Sequence, residues 1–161
     1  MERGLFEHVF DVVESLLGDE HGEVHGSSHR RGVKVWFGTT DGRAAKEHYE
    51  AQLIRLDGEP ALEIGFHAEH RDPARNQATL DHLLTIESRW RNGLGAEAEA
   101  GPFLGMGEWI RVSEVWEPPD PDDPEAPMEI AARLADYVDA IEPVRQTHDI
   151  GPQNQIDTTT G

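Results

Sequence analysis

The sequence predicts an α+β fold, in which an antiparallel sheet of four to five strands packs against three helices in the order α-β-β-β-α-β(-β)-α. Three segments carry apolar residues at helical spacing, and three or four others alternate between apolar and polar residues. Turn residues separate these segments. With 161 residues, the chain fits one domain over residues 1–145 and a flexible C-terminal tail over residues 146–161, which has little to bury.

The N-terminal part of the chain predicts a helix, a loop and a strand. Apolar residues recur at helical spacing from Phe6 to Leu17, and Gly18 is a stop signal. Residues 19–32 are polar and rich in glycine and serine, which indicates a loop. Alternation over residues 33–37 then indicates the first strand.

A β-hairpin is the best-defined element of the sequence. Two alternating runs flank a turn over residues 57–60, so we expect Leu56 to lie opposite Ala61. One face of this hairpin is then apolar and the other largely polar, as in an antiparallel sheet that is covered on one side. The polar face carries His48, Glu50, Gln52, Ile54, Glu63, Gly65, His67 and Glu69.

The second half of the chain adds two helices and at least one strand. Asp72 and Pro73 are a favourable N-cap and first residue for a helix that ends near Gly93. Residues 96–106 fit either a loop or a weak strand, and residues 109–116 fit a strand. A proline-rich segment follows, and the last helix runs from about Met128 until Pro143 ends or kinks it.

The charge excludes several classes of protein. There are 32 acidic and 14 basic side chains, giving a net charge of −18, which argues against binding to nucleic acid or to anionic lipid. No apolar run approaches the ~20 residues of a membrane span, and the first residues do not fit a signal peptide. Cysteine is absent, so thiolate sites are excluded. We expect an acidic, cytoplasmic protein.

The polar face of the hairpin is the strongest candidate site. In the expected register Glu50 lies opposite His67 and His48 lies opposite Glu69, with side chains ~5 Å apart across the strands. Two imidazoles and two carboxylates can hold Zn²⁺, Mn²⁺ or Fe²⁺, or can act as a general acid–base pair. The alternative is a solvated sheet face with weak charge pairs. A register shift of one residue would disperse the group.

Two other sets of residues are candidates. His21, His25 and His29 recur every four residues, which on a helix would form a metal site, but the glycines and serines between them indicate a loop. Trp36 and Trp109 would form a partner surface if they lie on the polar face of the sheet, with core packing as the alternative.

The predicted order helix–strand–strand–strand–helix–strand, over residues 5–116, resembles the core of the PD-(D/E)XK nucleases. In that family an acid on the second strand and an acid-x-lysine motif on the third bind magnesium and activate water. The resemblance implies these roles for Glu50 and Glu63, whereas Gly65 occupies the position of the lysine. The same order with a final helix also resembles the small acidic chaperones of type III secretion, which are usually dimeric and not catalytic.

From the sequence we expect a non-enzymatic protein-interaction domain, adaptor-like or chaperone-like, that binds a protein partner or a second copy of itself and needs no cofactor. The alternative is a metal-dependent hydrolase or nuclease-like enzyme that uses His48, Glu50, His67 and Glu69 with Zn, Mn or Mg. In that case Glu50 and Glu63 are the candidate catalytic residues. A third hypothesis is a small-ligand binder, enclosed between sheet and helices.

Overall fold

The computed structural model describes residues 4–38, 45–103 and 106–158, and the α+β class is confirmed. Four helices and one six-stranded antiparallel sheet are present in these ranges, with strand order β1-β2-β3-β4-β6-β5. The elements are α1 (Leu5–Leu17), β1 (His25–His29), β2 (Gly32–Trp36), β3 (Glu47–Leu56), β4 (Glu59–Ala68), α2 (Pro73–Thr85), α3 (Glu87–Leu94), β5 (Glu99–Phe103), β6 (Met106–Trp116) and α4 (Ala126–Thr158).

Local capping residues account for the end of α1 and the start of α2. In α1 the residues Phe6, Val9, Val13 and Leu17 are buried and Leu16 is exposed. The chain leaves the helix at Gly18, with φ of 56°. Asp72 caps α2 by accepting a hydrogen bond from the backbone N–H of Ala74 at 3.0 Å, and Pro73 is the first helical residue. The single helix predicted from Pro73 to near Gly93 is instead two helices, α2 and α3, with a break at Ile86.

Two edge strands were not predicted as such. The polar segment expected to be a loop contains β1, which pairs with β2 along its whole length. Residues Glu99–Phe103, left open between loop and strand, form β5 and pair with β6. Both lie at the edges of the sheet, where a strand needs only one neighbour and little apolar burial.

The predicted hairpin exists, but its register is shifted by two residues. Leu56 lies opposite Glu59 rather than Ala61, because the turn consists of Asp57 and Gly58 alone, both with positive φ. A shift of two residues preserves the alternation of side chains between the faces. The face assignments of all the hairpin residues are therefore correct, although the expected opposite partners are wrong.

The main core lies on one face of the sheet. Its sheet residues are the apolar ones, among them Val35, Tyr49, Ile64, Phe66 and Val112, and its helix residues come from all four helices. Two buried carboxylates fix α4 to this face. Tyr49 donates to Glu142 at 2.8 Å, and Tyr137 donates to Glu114 at 2.7 Å. The opposite face of the sheet carries the polar side chains of the hairpin, including those of the candidate site.

The last helix continues past Pro143, which the sequence predicted to end or kink it. The division into a domain over residues 1–145 and a flexible tail stays a prediction. Within the described ranges, no helix is both long enough and apolar enough to cross a membrane.

Candidate metal centre

The centre is built on β3 and β4, the two ten-residue strands of the hairpin. His48 on β3 lies directly opposite His67 on β4, and Glu50 lies opposite Gly65, which has no side chain to obstruct it. Glu69 follows the end of β4, where its backbone N–H donates to the carbonyl of Lys46 at 2.8 Å. Alternation along the two strands therefore directs all four candidate ligand side chains to one face.

The predicted group converges, although its pairing differs from the expectation. Sequence reasoning placed Glu50 opposite His67 and His48 opposite Glu69; the structure places the two histidines opposite each other and the two glutamates diagonally. One ligand atom from each of the four residues lies within 4.8 Å of every other. The shift of register changes the partners but keeps the group together.

One nitrogen of each imidazole faces the two carboxylates. His48 Nε2 lies 3.1 Å from Glu50 Oε1 and 3.6 Å from Glu69 Oε2. His67 Nδ1 lies 3.1 Å from the same Glu50 oxygen and 3.3 Å from the same Glu69 oxygen. Two nitrogens and two oxygens therefore surround one point between the strands.

The other nitrogen of each imidazole is bound on the outside. His48 Nδ1–H donates to the carbonyl oxygen of Ala45 at 2.8 Å, and His67 Nε2–H donates to Glu63 Oε2 at 2.7 Å. Glu63 is itself held by Gln52, whose side-chain amide donates to its other oxygen at 2.9 Å. These contacts orient both rings and assign Nε2 of His48 and Nδ1 of His67 to the centre.

The imidazoles and carboxylates of the centre shift one another's pKa. Burial opposes ionisation of Glu50, but hydrogen bonds from His48 and His67 lower its pKa to about 2. Burial also opposes the charged form of each imidazole, yet the surrounding carboxylates raise the pKa of His48 and raise that of His67 well above its ordinary value. The three glutamates around these rings thus favour positive charge between the strands.

Aromatic side chains cover the centre, which is closed to solvent. His67 is completely buried, and the most exposed member is Glu69, with 13% of its side chain accessible. Phe103 reaches from β5 across β6 and packs edge-on against His67, with ring centroids 4.6 Å apart. Trp109 in turn packs against Phe103 at 6.2 Å. The edge of the sheet therefore covers the centre.

The two tryptophans proposed as a partner surface differ in exposure. Trp36 is only 6% exposed and stacks on His25, so it offers little area to a partner. Its indole N–H is buried without a hydrogen-bond acceptor. Trp109 is half-buried beside Phe103. A partner surface at these residues stays a prediction.

Glu63, predicted as a further ligand or catalytic acid, lies outside the ring of ligands. It is fully buried and contacts the nitrogen of His67 that points away from Glu50 and Glu69. Burial opposes ionisation of Glu63, but the charge of His67 and the hydrogen bonds from His67 and Gln52 together lower its pKa. Glu63 therefore acts on the centre through His67.

The histidine triplet His21, His25 and His29 does not form one site. His25 and His29 lie on β1, whereas His21 is in the preceding turn and donates from Nε2 to Asp139 Oδ1 of α4 at 2.9 Å. Glu20 lies beside this pair, so these three residues form a second, more exposed group. Asp139 was missed because it is distant in sequence.

Other contributors to the centre had no signal in the sequence. The carbonyl oxygen of Ala45 is a backbone group, and Phe103 comes from a segment whose structure was left open. Gln52 and Glu63 had the correct face, but their mutual hydrogen bond depends on the two-residue turn, which places them directly opposite each other.

Comparison with protein-family models, with curated proteins and with solved structures finds no match. The structure has four strands between α1 and α2. The resemblances to nucleases and to secretion chaperones depend on a predicted order with three strands at that place.

Proposed function

We propose that the protein binds a divalent transition-metal ion between β3 and β4, with His48, Glu50, His67 and Glu69 as ligands. The observation that carries the proposal is the set of four nitrogen-to-oxygen separations, between 3.1 and 3.6 Å. A tetrahedral ion with bonds of about 2.05 Å would separate its ligand atoms by about 3.3 Å. The four nitrogen-to-oxygen pairs already lie near that spacing.

The outer hydrogen bonds support the same conclusion. Histidine ligands of metals almost always donate their second N–H to a carbonyl or carboxylate oxygen, which fixes the ring and strengthens the ligand. His48 does this to Ala45, and His67 does it to the buried Glu63. The carboxylates of Glu50, Glu63 and Glu69 bring three negative charges to a site with little solvent, where a divalent cation would be stabilised.

The donor set favours some ions over others. Two imidazole nitrogens and two carboxylate oxygens suit Zn²⁺, Fe²⁺ or Mn²⁺. Mg²⁺ prefers six oxygen ligands in an octahedron and is disfavoured here. Because cysteine is absent, soft thiolate chemistry plays no part.

Closure of the site favours an ion that stabilises the fold over one that acts on a substrate. Structural zinc sites have four protein ligands, whereas catalytic sites keep a position open for water or substrate. Here all four positions would be filled by side chains, and even the most exposed of them, Glu69, has only 13% of its side chain accessible. This supports the non-enzymatic interpretation of the sequence over the hydrolase, which stays a prediction.

Zinc titration at about pH 8, with thermal unfolding as the readout, tests the proposal. An ion at 100 times its Kd stabilises the folded state by about 2.7 kcal/mol. For a chain of this size that corresponds to a rise in Tm of about 5–11 °C. We expect His67→Ala to abolish the rise and His29→Gln, which removes an exposed imidazole of the same sheet, to retain it.

A second variant covers the case in which His67→Ala does not fold. Glu69→Gln keeps the shape of the most exposed ligand and removes its charge, so the folded variant is expected to bind Zn²⁺ more weakly. Nuclear magnetic resonance of the His48 and His67 rings gives an independent readout. If Zn²⁺, Mn²⁺ and Fe²⁺ change neither Tm nor these signals, protonated imidazoles alone satisfy the carboxylates and the proposal is wrong.

A further inference from the structure

A second surface lies at the other end of the same sheet. Leu56, at the end of β3, and Val115, near the end of β6, are 37% and 38% exposed. Together with the half-buried Trp116 they line two depressions of about 350 and 300 Å³. Pro60 and Pro118 line the smaller one. We call the surface formed by these five residues the Leu56 patch.

Acidic side chains surround the Leu56 patch. Glu97 and Glu99 line the larger depression, and Glu59 and Glu117 line the smaller one; all four are exposed. Arg111, the basic residue that lines the larger depression, is buried and donates to Glu99 at 3.0 Å. The rim therefore presents negative charge to a partner.

We infer that the Leu56 patch docks a short segment of another protein, in which one or two large apolar side chains are flanked by arginine or lysine. Each depression has about the volume of a small ligand pocket and suits such an anchor. The exposed carboxylates of the rim are complementary to flanking basic residues. An apolar centre with a charged rim is typical of interaction surfaces.

Charge argues against a second copy of this chain as the occupant. The protein carries a net charge of −18, and two acidic rims would face each other if the Leu56 patch contacted itself. Like charges across an interface oppose association. A basic partner segment removes this repulsion, so the inference commits to a different protein.

This inference is independent of the metal centre. Leu56 lies six residues along β3 from Glu50, a distance of about 20 Å in an extended strand. Substitution of Leu56 is therefore expected to leave the response to zinc unchanged, whereas Val115 lies opposite Glu63 on the neighbouring strand and is closer to the centre. Either proposal can fail without the other.

Fluorescence anisotropy with a labelled basic peptide tests the inference. The probe is Arg-Arg-Leu-Trp-Arg-Leu-Arg-Arg, and the control peptide has serine in place of leucine and tryptophan. We expect the probe to bind about tenfold more tightly than the control peptide, because its apolar side chains leave water. Leu56→Asp and Val115→Asp are each expected to remove this difference. Leu84→Asp, at an exposed leucine of α2, is the matched control and is expected to retain it.

The sign of the added charge makes this test decisive. Each aspartate variant makes the protein more acidic, so general attraction of a basic peptide would increase. A loss of affinity in the folded Leu56→Asp and Val115→Asp proteins therefore reports the apolar anchor alone. Equal binding of the two peptides, or unchanged binding by both variants, would overturn the inference and leave only non-specific attraction between charges.

Discussion

One methyl group added at Gly65 would disturb the packing of the strands that carry the centre. It lies on β4 opposite Glu50 on one side and opposite Ser113 on the other. A Cβ atom at this position would meet the backbone carbonyl oxygen of Val112 and would lie 2.5 Å from Ser113 Cα. Carbon atoms normally stay about 3.5 Å apart, so the shortfall is about 1 Å.

Gly65→Ala is therefore expected to push β4 and β6 apart. Two of the three atoms in the way belong to the backbone, and the third is Ser113 Cβ, whose position the backbone fixes, so none of them can rotate aside. A 1 Å separation stretches the hydrogen bonds between the strands beyond their normal range. Overpacking usually costs about 1–3 kcal/mol, and we expect the upper end. For a chain of this length, about 3 kcal/mol lowers Tm by about 6–12 °C.

Urea unfolding of Gly65→Ala and of Gly101→Ala measures this effect. Gly101 lies on β5, and a Cβ atom there would meet nothing within 4 Å. Gly101→Ala is therefore expected to stay within about 1 kcal/mol of the parent protein. If Gly65→Ala also costs less than about 1 kcal/mol, the close approach of β4 and β6 is not needed for the fold and the reasoning is refuted.

Three more outcomes are expected. Glu63→Gln keeps the four proposed ligands but weakens the acceptor that orients His67, so calorimetry is expected to show about 10–100-fold weaker zinc binding; unchanged affinity would show that Glu63 has no role. Tyr49→Phe removes the donor to the buried Glu142 and is expected to cost about 1.5–3 kcal/mol in urea unfolding, whereas a loss below about 0.5 kcal/mol contradicts this. Burial opposes ionisation of Glu114, but hydrogen bonds lower its pKa below 4.5, so its contribution to stability is present above pH 4.5 and is lost as the pH falls below that value. Glu114→Gln should therefore lose less stability than the parent protein on acidification, and an equal loss would exclude this contribution.

The faces of the hairpin could be predicted from sequence because the side-chain period of a strand is two. Alternation alone placed His48, Glu50, His67 and Glu69 together. It could not fix the register, because the turn segment fits both a four-residue and a two-residue connection. Local chemistry favours the shorter one, since Asp57 and Gly58 adopt the positive φ that such turns need.

Burial of the polar face could not be read from the same pattern. Charged residues on one side of a strand usually indicate solvent, and the sequence gives no sign that Phe103 packs over His67. That contact depends on the pairing of β5 with β6, in a segment rich in glycine and alanine, and on the pairing of β6 with β4, which is distant in sequence. Polar side chains of the hairpin that the sequence pattern places on a solvated face are therefore buried by tertiary packing.

The sequence by itself determined the fold class, the helix stripes and the two faces of the hairpin. These properties depend on periodicity and on local caps and turns, which act over a few residues. Only the tertiary structure decided that His48 lies opposite His67, that Glu63 holds the outer nitrogen of His67, and that the polar face is closed. Such features depend on the register and on the pairing of distant strands, which are set by the packing of the whole sheet.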